Sequence, residues 1–157
     1  MDEIITGRGR YAVSRATRAD VADVVALLRD DEIGAGRELP DLGPYLVAFA
    51  EVDADPQQLL VIVRDEGGVA AGTLQLTLIP GLSRSGSKRM IIEGVRVHSR
   101  TRGSGLGARL IEWAHDQGRA RGATLAQLTS DKRREDAHRF YDRLGYSATH
   151  EGFKLDL

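Results

Sequence analysis

The 157-residue chain contains no cysteine. Disulfides, a thiol nucleophile and thiolate metal sites are therefore excluded. Aromatic residues are few, at 5%, and the formal net charge is only −1, so nucleic-acid binding is not expected. No apolar run approaches the roughly 20 residues that a membrane span needs, and no membrane partner is expected. Met1-Asp2-Glu3 is acidic and lacks the apolar stretch of a signal peptide, which predicts a cytoplasmic protein. The four histidines show no zinc-ligand spacing, and no metal site is expected. What remains is an ordinary globular composition of a length that suits one domain with a real core. Residues 1–10 read as a flexible tail and residues 11–157 as a single domain.

Charge is unevenly spread. Thr17 to Glu66 holds 12 acidic residues against 4 basic, whereas Ile79 to Gly122 holds 9 basic against 3 acidic. The basic part would suit a polyanionic cofactor and the acidic part a cationic partner. Along the chain, Tyr11 to Arg15 alternates like a strand. Thr17-Arg18-Ala19-Asp20 reads as a capping box, and Val21, Val24, Val25 and Leu28 share one face of the helix it opens. A second helix is predicted over about Pro44 to Val52. Leu59–Asp65 and Val69–Leu78 form a hairpin around Glu66-Gly67-Gly68. The strand Met90–Val97 follows, then a helix with Leu106, Leu110, Trp113 and Ala114 on one face. A strand over Ala123–Leu128 and a helix over Glu135–Leu144 come next, the helix ended by Gly145. Tyr146 to Leu157 fits two short strands. The order predicts a mixed α/β domain, with the strand after the crossover parallel to Met90–Val97.

Arg102-Gly103-Ser104-Gly105-Leu106-Gly107 lies between that strand and its helix. Small residues there let the backbone close around phosphates, and the N–H groups of the helix start point at the anion. A nucleotide loop ending Gly-Lys-Ser/Thr is ruled out, because this loop ends Gly107-Ala108-Arg109. Gly103, Gly105 and Ala108 match a dinucleotide fingerprint, with Asp131 where a ribose-binding acid belongs. Only 26 residues follow Asp131, too few for the remaining βαβ units, so a dinucleotide-binding protein is a remote alternative.

Arg102-x-x-Gly105-x-Gly107 and, about 35 residues on, Ala137-His138-Arg139-Phe140-Tyr141-Asp142-Arg143-Leu144-Gly145-Tyr146 together resemble the GCN5-related N-acetyltransferase (GNAT) family. The likeness extends from Tyr11 to Leu157. It implies a mixed, mostly antiparallel sheet of 6–7 strands flanked by about four helices, and acetyl-CoA as the acetyl donor. It also implies that Arg102, Gly103, Ser104, Gly105, Leu106, Gly107 and Ala108 hold the pyrophosphate. Val95, Arg96 and Val97 would meet the pantetheine arm through backbone groups, with the Arg96 side chain reaching solvent or a phosphate. Many family members carry asparagine seven residues before the tyrosine. Here that position is Arg134, which would contact the cofactor by charge instead.

Transfer to an amine needs a base for the ammonium, donors for the oxyanion and a proton for the thiolate. Glu93, inside the apolar run Met90 to Val95, is the expected base, direct or through water; burial there would raise its pKa. The alternative is a solvent-facing carboxylate paired with an arginine. Tyr141 aligns with the family tyrosine and is the expected acid; a core tyrosine is the alternative. Tyr146 reads as structural, and His138 as a weaker candidate.

The acceptor would be a primary amine, most simply of a small molecule, bound by residues 30–49 and 80–89. Asp30, Asp31, Glu32, Glu38 and Asp41 suit a cation; Arg84, Lys88 and Arg89 suit an added anionic group. Residues 132–141 and the tail are similar to aminoalkylphosphonate acetyltransferases. A catalytically silent acetyl-CoA sensor is the alternative from another class. A homodimer through the tail is a further expectation.

Overall fold

Alternating apolar residues in the middle of the chain build a six-stranded sheet. The computed structural model describes residues 1–157, with the side chains of all but Glu32 and Ile33. The strands are β1 (Asp2–Thr6), β2 (Gly9–Arg15), β3 (Gln58–Asp65), β4 (Ala70–Ile79), β5 (Arg89–Val97) and β6 (Leu125–Gln127). They lie in sequence order, antiparallel except for the parallel pair β5–β6. The helices are α1 (Val21–Arg29), α2 (Glu32–Ala35), α3 (Gly43–Ala54), a single turn α4 (Ser83–Gly86), α5 (Leu106–Ala120) and α6 (Glu135–Arg143). The chain divides into two compact units, Met1–Gln127 and Leu128–Leu157.

In the first unit the sheet buries both faces. One carries Val61, Val63, Leu74, Leu76, Met90 and Ile92, with Leu106, Leu110, Ile111 and Ala114 of α5 completing the core. A Cβ on Gly118 of α5 would stand 2.8 Å from Met90 Sδ, so α5 packs closely on β5 there. The other face holds Ile62 against Val21, Val24, Val25 and Leu27 of α1 and Phe49 of α3. Thr73 is fully buried and satisfied, its Oγ1–H donating to Val61 O at 2.7 Å. The Thr17–Asp20 box forms through its acid: the Asp20 carboxylate accepts Thr17 N–H at 2.8 Å and its hydroxyl at 2.7 Å.

Two expectations fail at the ends of the chain. Residues 1–10 are not a loose tail, because Asp2–Thr6 forms a hairpin with β2. Ile4 is buried, and Asp2 accepts the Trp113 indole N–H at 2.8 Å. Residues 146–157 contain no strand. Phe153, Leu155 and Leu157 alternate as a strand would, yet all three are exposed. Alternation makes a strand possible, and only a ladder partner makes it form.

Candidate active site

The site is built around the end of β5. β4 and β5 pair in register from Ile79↔Arg89 to Gln75↔Glu93, and again at Thr73↔Arg96 and Gly72↔Val97. One residue of β4, Leu74, therefore faces two of β5, Gly94 and Val95. This is a β-bulge, and Gly94 has the left-handed φ of +58° that the bulge demands. Sequence reading missed it, although a lone glycine inside an apolar strand is its signal. On the other edge, the ladder to β6 stops at Ile91↔Gln127 while β5 continues to Val97. Pairing to β6 thus ends two residues before Glu93.

Glu93 lies directly opposite Gln75, on the sheet face that carries α1 and α3. It is exposed, which corrects the expectation of a buried carboxylate: strand alternation puts it on the face opposite the buried Met90 and Ile92. Among the described residues, no ion pair or side-chain hydrogen bond engages it, so the arginine-paired alternative is not what the structure shows. Arg89, Ile91 and Glu93 share this face by strand alternation.

Arg96 does not reach toward solvent. Its Nε lies 2.8 Å from Asp31 Oδ2, with both side chains 15% exposed, and its guanidinium also donates to Val95 O. Val95, Arg96 and Val97 are all half-buried.

Past β5, one 3₁₀ turn (Ser99–Thr101) leads to the glycine loop, with His98 Nδ1 accepting Arg100 N–H at 3.2 Å. Gly103 and Gly105 have φ of +74° and +85°, and Gly105 is the N-cap of α5. Ser104 Oγ accepts Leu106 N–H at 3.3 Å. Among the described residues, the N–H groups of Gly103, Gly105, Gly107 and Ala108 have no partner. Nothing lies within 4 Å of a Cβ built on Gly103 or Gly105. Four unpaired donors, two of them on glycines with open space around them, at the positive end of a 15-residue helix, fit a diphosphate.

Asp30, just past the end of α1, ties that loop down. Its carboxylate accepts Ser99 N–H at 2.6 Å and lies 3.7 Å from the Arg102 guanidinium, which also donates to Asp30 O. Burial alone would raise the Asp30 carboxyl, but the Ser99 hydrogen bonds, His98 and Arg102 outweigh it and hold it below the usual range. No local signal in the sequence announced this contact, since 69 residues separate Asp30 from Ser99.

The acidic segment is largely engaged within the chain. Besides Asp30 and Asp31, Glu38 accepts the Tyr45 hydroxyl at 2.9 Å and pairs with Arg37, and Asp41 accepts Gly43 N–H at 3.0 Å. The Glu32 side chain lies outside the described residues. On the basic side, Lys88 Nζ donates to Arg121 O. Arg84 and Arg89 are exposed and, among the described residues, form no ion pair.

In the second unit, α6 places Tyr141 between Phe140 and Tyr146, edge-to-face at 5.1 and 5.7 Å between ring centroids. Burial, and secondarily Tyr141, push the Tyr146 phenol up to about 12. Tyr146 is thus a packed, protonated neighbour of Tyr141. Arg134 is the N-cap residue of α6, its N–H donating to Asp131 O. The rest of the basic run is engaged locally: Arg133 forks onto Asp131 at 2.9 and 2.8 Å, and Lys132 lies 3.2 Å from Glu151. His138 Nε2 lies 2.9 Å from Asp131 O.

The strand β5, the glycine turn and the helix α5 thus follow one another as the sequence predicts, with a bulge at Gly94 that it did not show. The model of the acetyltransferase (GNAT) family matches residues 23–146, and the chain belongs to that family. An aminoalkylphosphonate N-acetyltransferase from Salmonella typhimurium is 44% identical over 56 residues, which is 36% of this chain and 36% of that protein. The chain thus spans about a third of that relative's length. A solved transcriptional regulator from Bacillus halodurans C-125 is 41% identical, with a TM-score of 0.88 over 94% of this chain and 99% of that one. Glucosamine-6-phosphate N-acetyltransferase from Arabidopsis thaliana shares the fold at 20% identity, with a TM-score of 0.74 over 94% and 97% of the two chains.

Proposed function

We propose that this protein transfers the acetyl group of acetyl-CoA to a primary amine that also carries an anionic group. The observation that carries the reading is the glycine loop, with four unpaired N–H groups at the start of α5, immediately after a strand that bulges at Gly94. The loop residues Arg102 to Ala108 hold the pyrophosphate of the donor. The backbone of Val95 to Val97 meets the pantetheine arm and supplies a donor to the developing oxyanion. Glu93 takes the proton of the incoming ammonium, directly or through a water, so that the neutral amine attacks. Carbon–nitrogen bond formation then expels the thiolate, and the family resemblance assigns its protonation to Tyr141. Arg134 replaces the usual asparagine as a cofactor contact. Arg89, on the face of β5 that carries Glu93, and Arg84 are the cations for the anionic end of the acceptor. The local identity to an aminoalkylphosphonate N-acetyltransferase supports that choice of acceptor.

The test measures thiol release from acetyl-CoA with paired amines, such as an aminoalkylphosphonate and the same amine without its phosphonate. Faster turnover of the phosphonate, lost in Arg89→Ala, is the expected result. Equal rates for both members of each pair would remove the anionic group from the assignment. A second reading, an acetyl-CoA sensor without turnover, is favoured by the likeness to a transcriptional regulator. Acetyl-CoA binding without thiol release for any amine would select it.

A further inference from the structure

We propose that Asp30 is a positioning residue for the acetyl donor, holding Arg102 in the absence of the donor and yielding it to the pyrophosphate when the donor binds. The proposal rests on the donor reading above. A carboxylate at the C-terminal end of a helix is disfavoured by the helix dipole. Asp30 nevertheless stands just past α1, with its N–H donating to Leu27 O at 3.2 Å. Its compensation comes from the loop that leads to the glycine turn: Ser99 N–H at 2.6 Å, His98 Nδ1 at 3.8 Å and the Arg102 guanidinium at 3.7 Å. Arg102 in turn caps α1 through Asp30 O, a favourable place for a cation.

These contacts have opposite consequences for an anionic ligand. The Ser99 hydrogen bond fixes the entry of the glycine loop, so that the N–H groups of Gly103, Gly105, Gly107 and Ala108 are set in advance. Preorganisation of this kind strengthens binding. The Asp30 charge, however, neutralises Arg102, the cation next to Gly103. Arg102 is 53% exposed on its side chain, so it is free to turn toward a ligand. A diphosphate at the loop therefore competes with Asp30 for the same guanidinium. As Arg102 moves, α1 loses its C-terminal cation. The α1–α2 junction also carries the Asp31–Arg96 pair.

Two substitutions separate scaffold from charge. Asp30→Asn keeps an oxygen that accepts Ser99 N–H and removes the charge; Asp30→Ala removes both. Dissociation constants for CoA are measured by calorimetry at low and high salt, with the thermal midpoint of each variant checking its fold. Asp30→Asn is expected to bind CoA roughly fivefold more tightly at low salt, the size of one surface charge interaction, with the gain shrinking as salt rises. Asp30→Ala is expected to bind more weakly than Asp30→Asn. In an Arg102→Met background the gain from Asp30→Asn should vanish. A gain that persists in that background, or Asp30→Asn binding no tighter than the parent, overturns the proposal. A parent protein that binds no CoA removes both this inference and the donor reading. A parent that binds CoA while the Asp30–Arg102 cycle is flat removes this inference alone.

Discussion

Replacing Gly94 tests whether the bulge in β5 underlies the site. Gly94 holds φ +58° between Glu93 and Val95. A Cβ built there meets only Leu28 Cδ2, at 3.9 Å, an ordinary contact. Crowding therefore contributes nothing, and the cost of a side chain is the left-handed backbone alone. That cost is about 1–2 kcal/mol for an L-residue, partly offset because alanine restricts the unfolded chain by about 0.4–1 kcal/mol. The net loss for Gly94→Ala is about 1 kcal/mol, a fall of roughly 2–4 °C in melting midpoint at this length. Asparagine tolerates the left-handed region and should lose less; valine, branched at Cβ, should lose more. The order Gly, Asn, Ala, Val is thus expected both in urea unfolding and in acetyl transfer. The effect on transfer should exceed the effect on stability. Straightening the bulge would reverse the side on which residues before or after it project, and Glu93 stands at its first edge. Equal stability of all four variants would mean that Gly94 is not left-handed in solution, and the bulge that follows Glu93 would fail with it.

Three further outcomes follow from single contacts. Gly72→Ala should destabilise by about 1–3 kcal/mol, because a Cβ there would stand 2.9 Å from Arg96 O; an unchanged urea midpoint would show that β4 and β5 approach less closely. Trp113→Phe removes the indole hydrogen bond to Asp2 and should cost about 1 kcal/mol, read as faster amide exchange in β1 with the β3–β4 amides unaffected. Asp20 supplies a pH dependence. Burial alone would raise its carboxyl, but Arg64 at 2.6 Å and the Thr17 hydrogen bonds lower it overall. A carboxyl lowered on folding adds stability that is full above its unfolded pKa of about 3.9 and is lost as pH falls through the folded value. Asp20→Asn should therefore be less stable than the parent at pH 7, by about 1 kcal/mol, with the gap narrowing below about pH 4; a gap that does not narrow as pH falls would refute this assignment.

What was legible in the sequence is what a short stretch decides by itself. Gly103 and Gly105 at positive φ, followed by Leu106 and Leu110 at helical spacing, specify a turn and a helix without help from elsewhere. The β3–β4 hairpin around Gly67 and Gly68 is equally local. The illegible parts depend on distant partners. β1 has one buried residue, Ile4, and is strand-like only beside β2 and Trp113. The reverse holds for residues 153–157, which carry a strand's alternation and form none. Arg96 reads as a side chain reaching solvent or a phosphate because its partner, Asp31, lies 65 residues earlier.

Charge was legible in amount but not in use. Residues 30–41 looked like an acidic lining for a cationic acceptor. In the fold, Asp30 and Asp31 serve the β5 end and its loop, while Glu38 and Asp41 serve their own segment. A carboxylate held by N–H groups and guanidinium is stabilised as an anion and makes a poor proton acceptor. Glu93 differs in having no such partner among the described residues, so a water or an ammonium has no competitor for its oxygens. Under the proposed acetyl transfer, selection among amines would fall less on the acidic loop than on Arg84 and Arg89. The acceptor's anionic group, rather than its positive charge, is the feature these surfaces would distinguish.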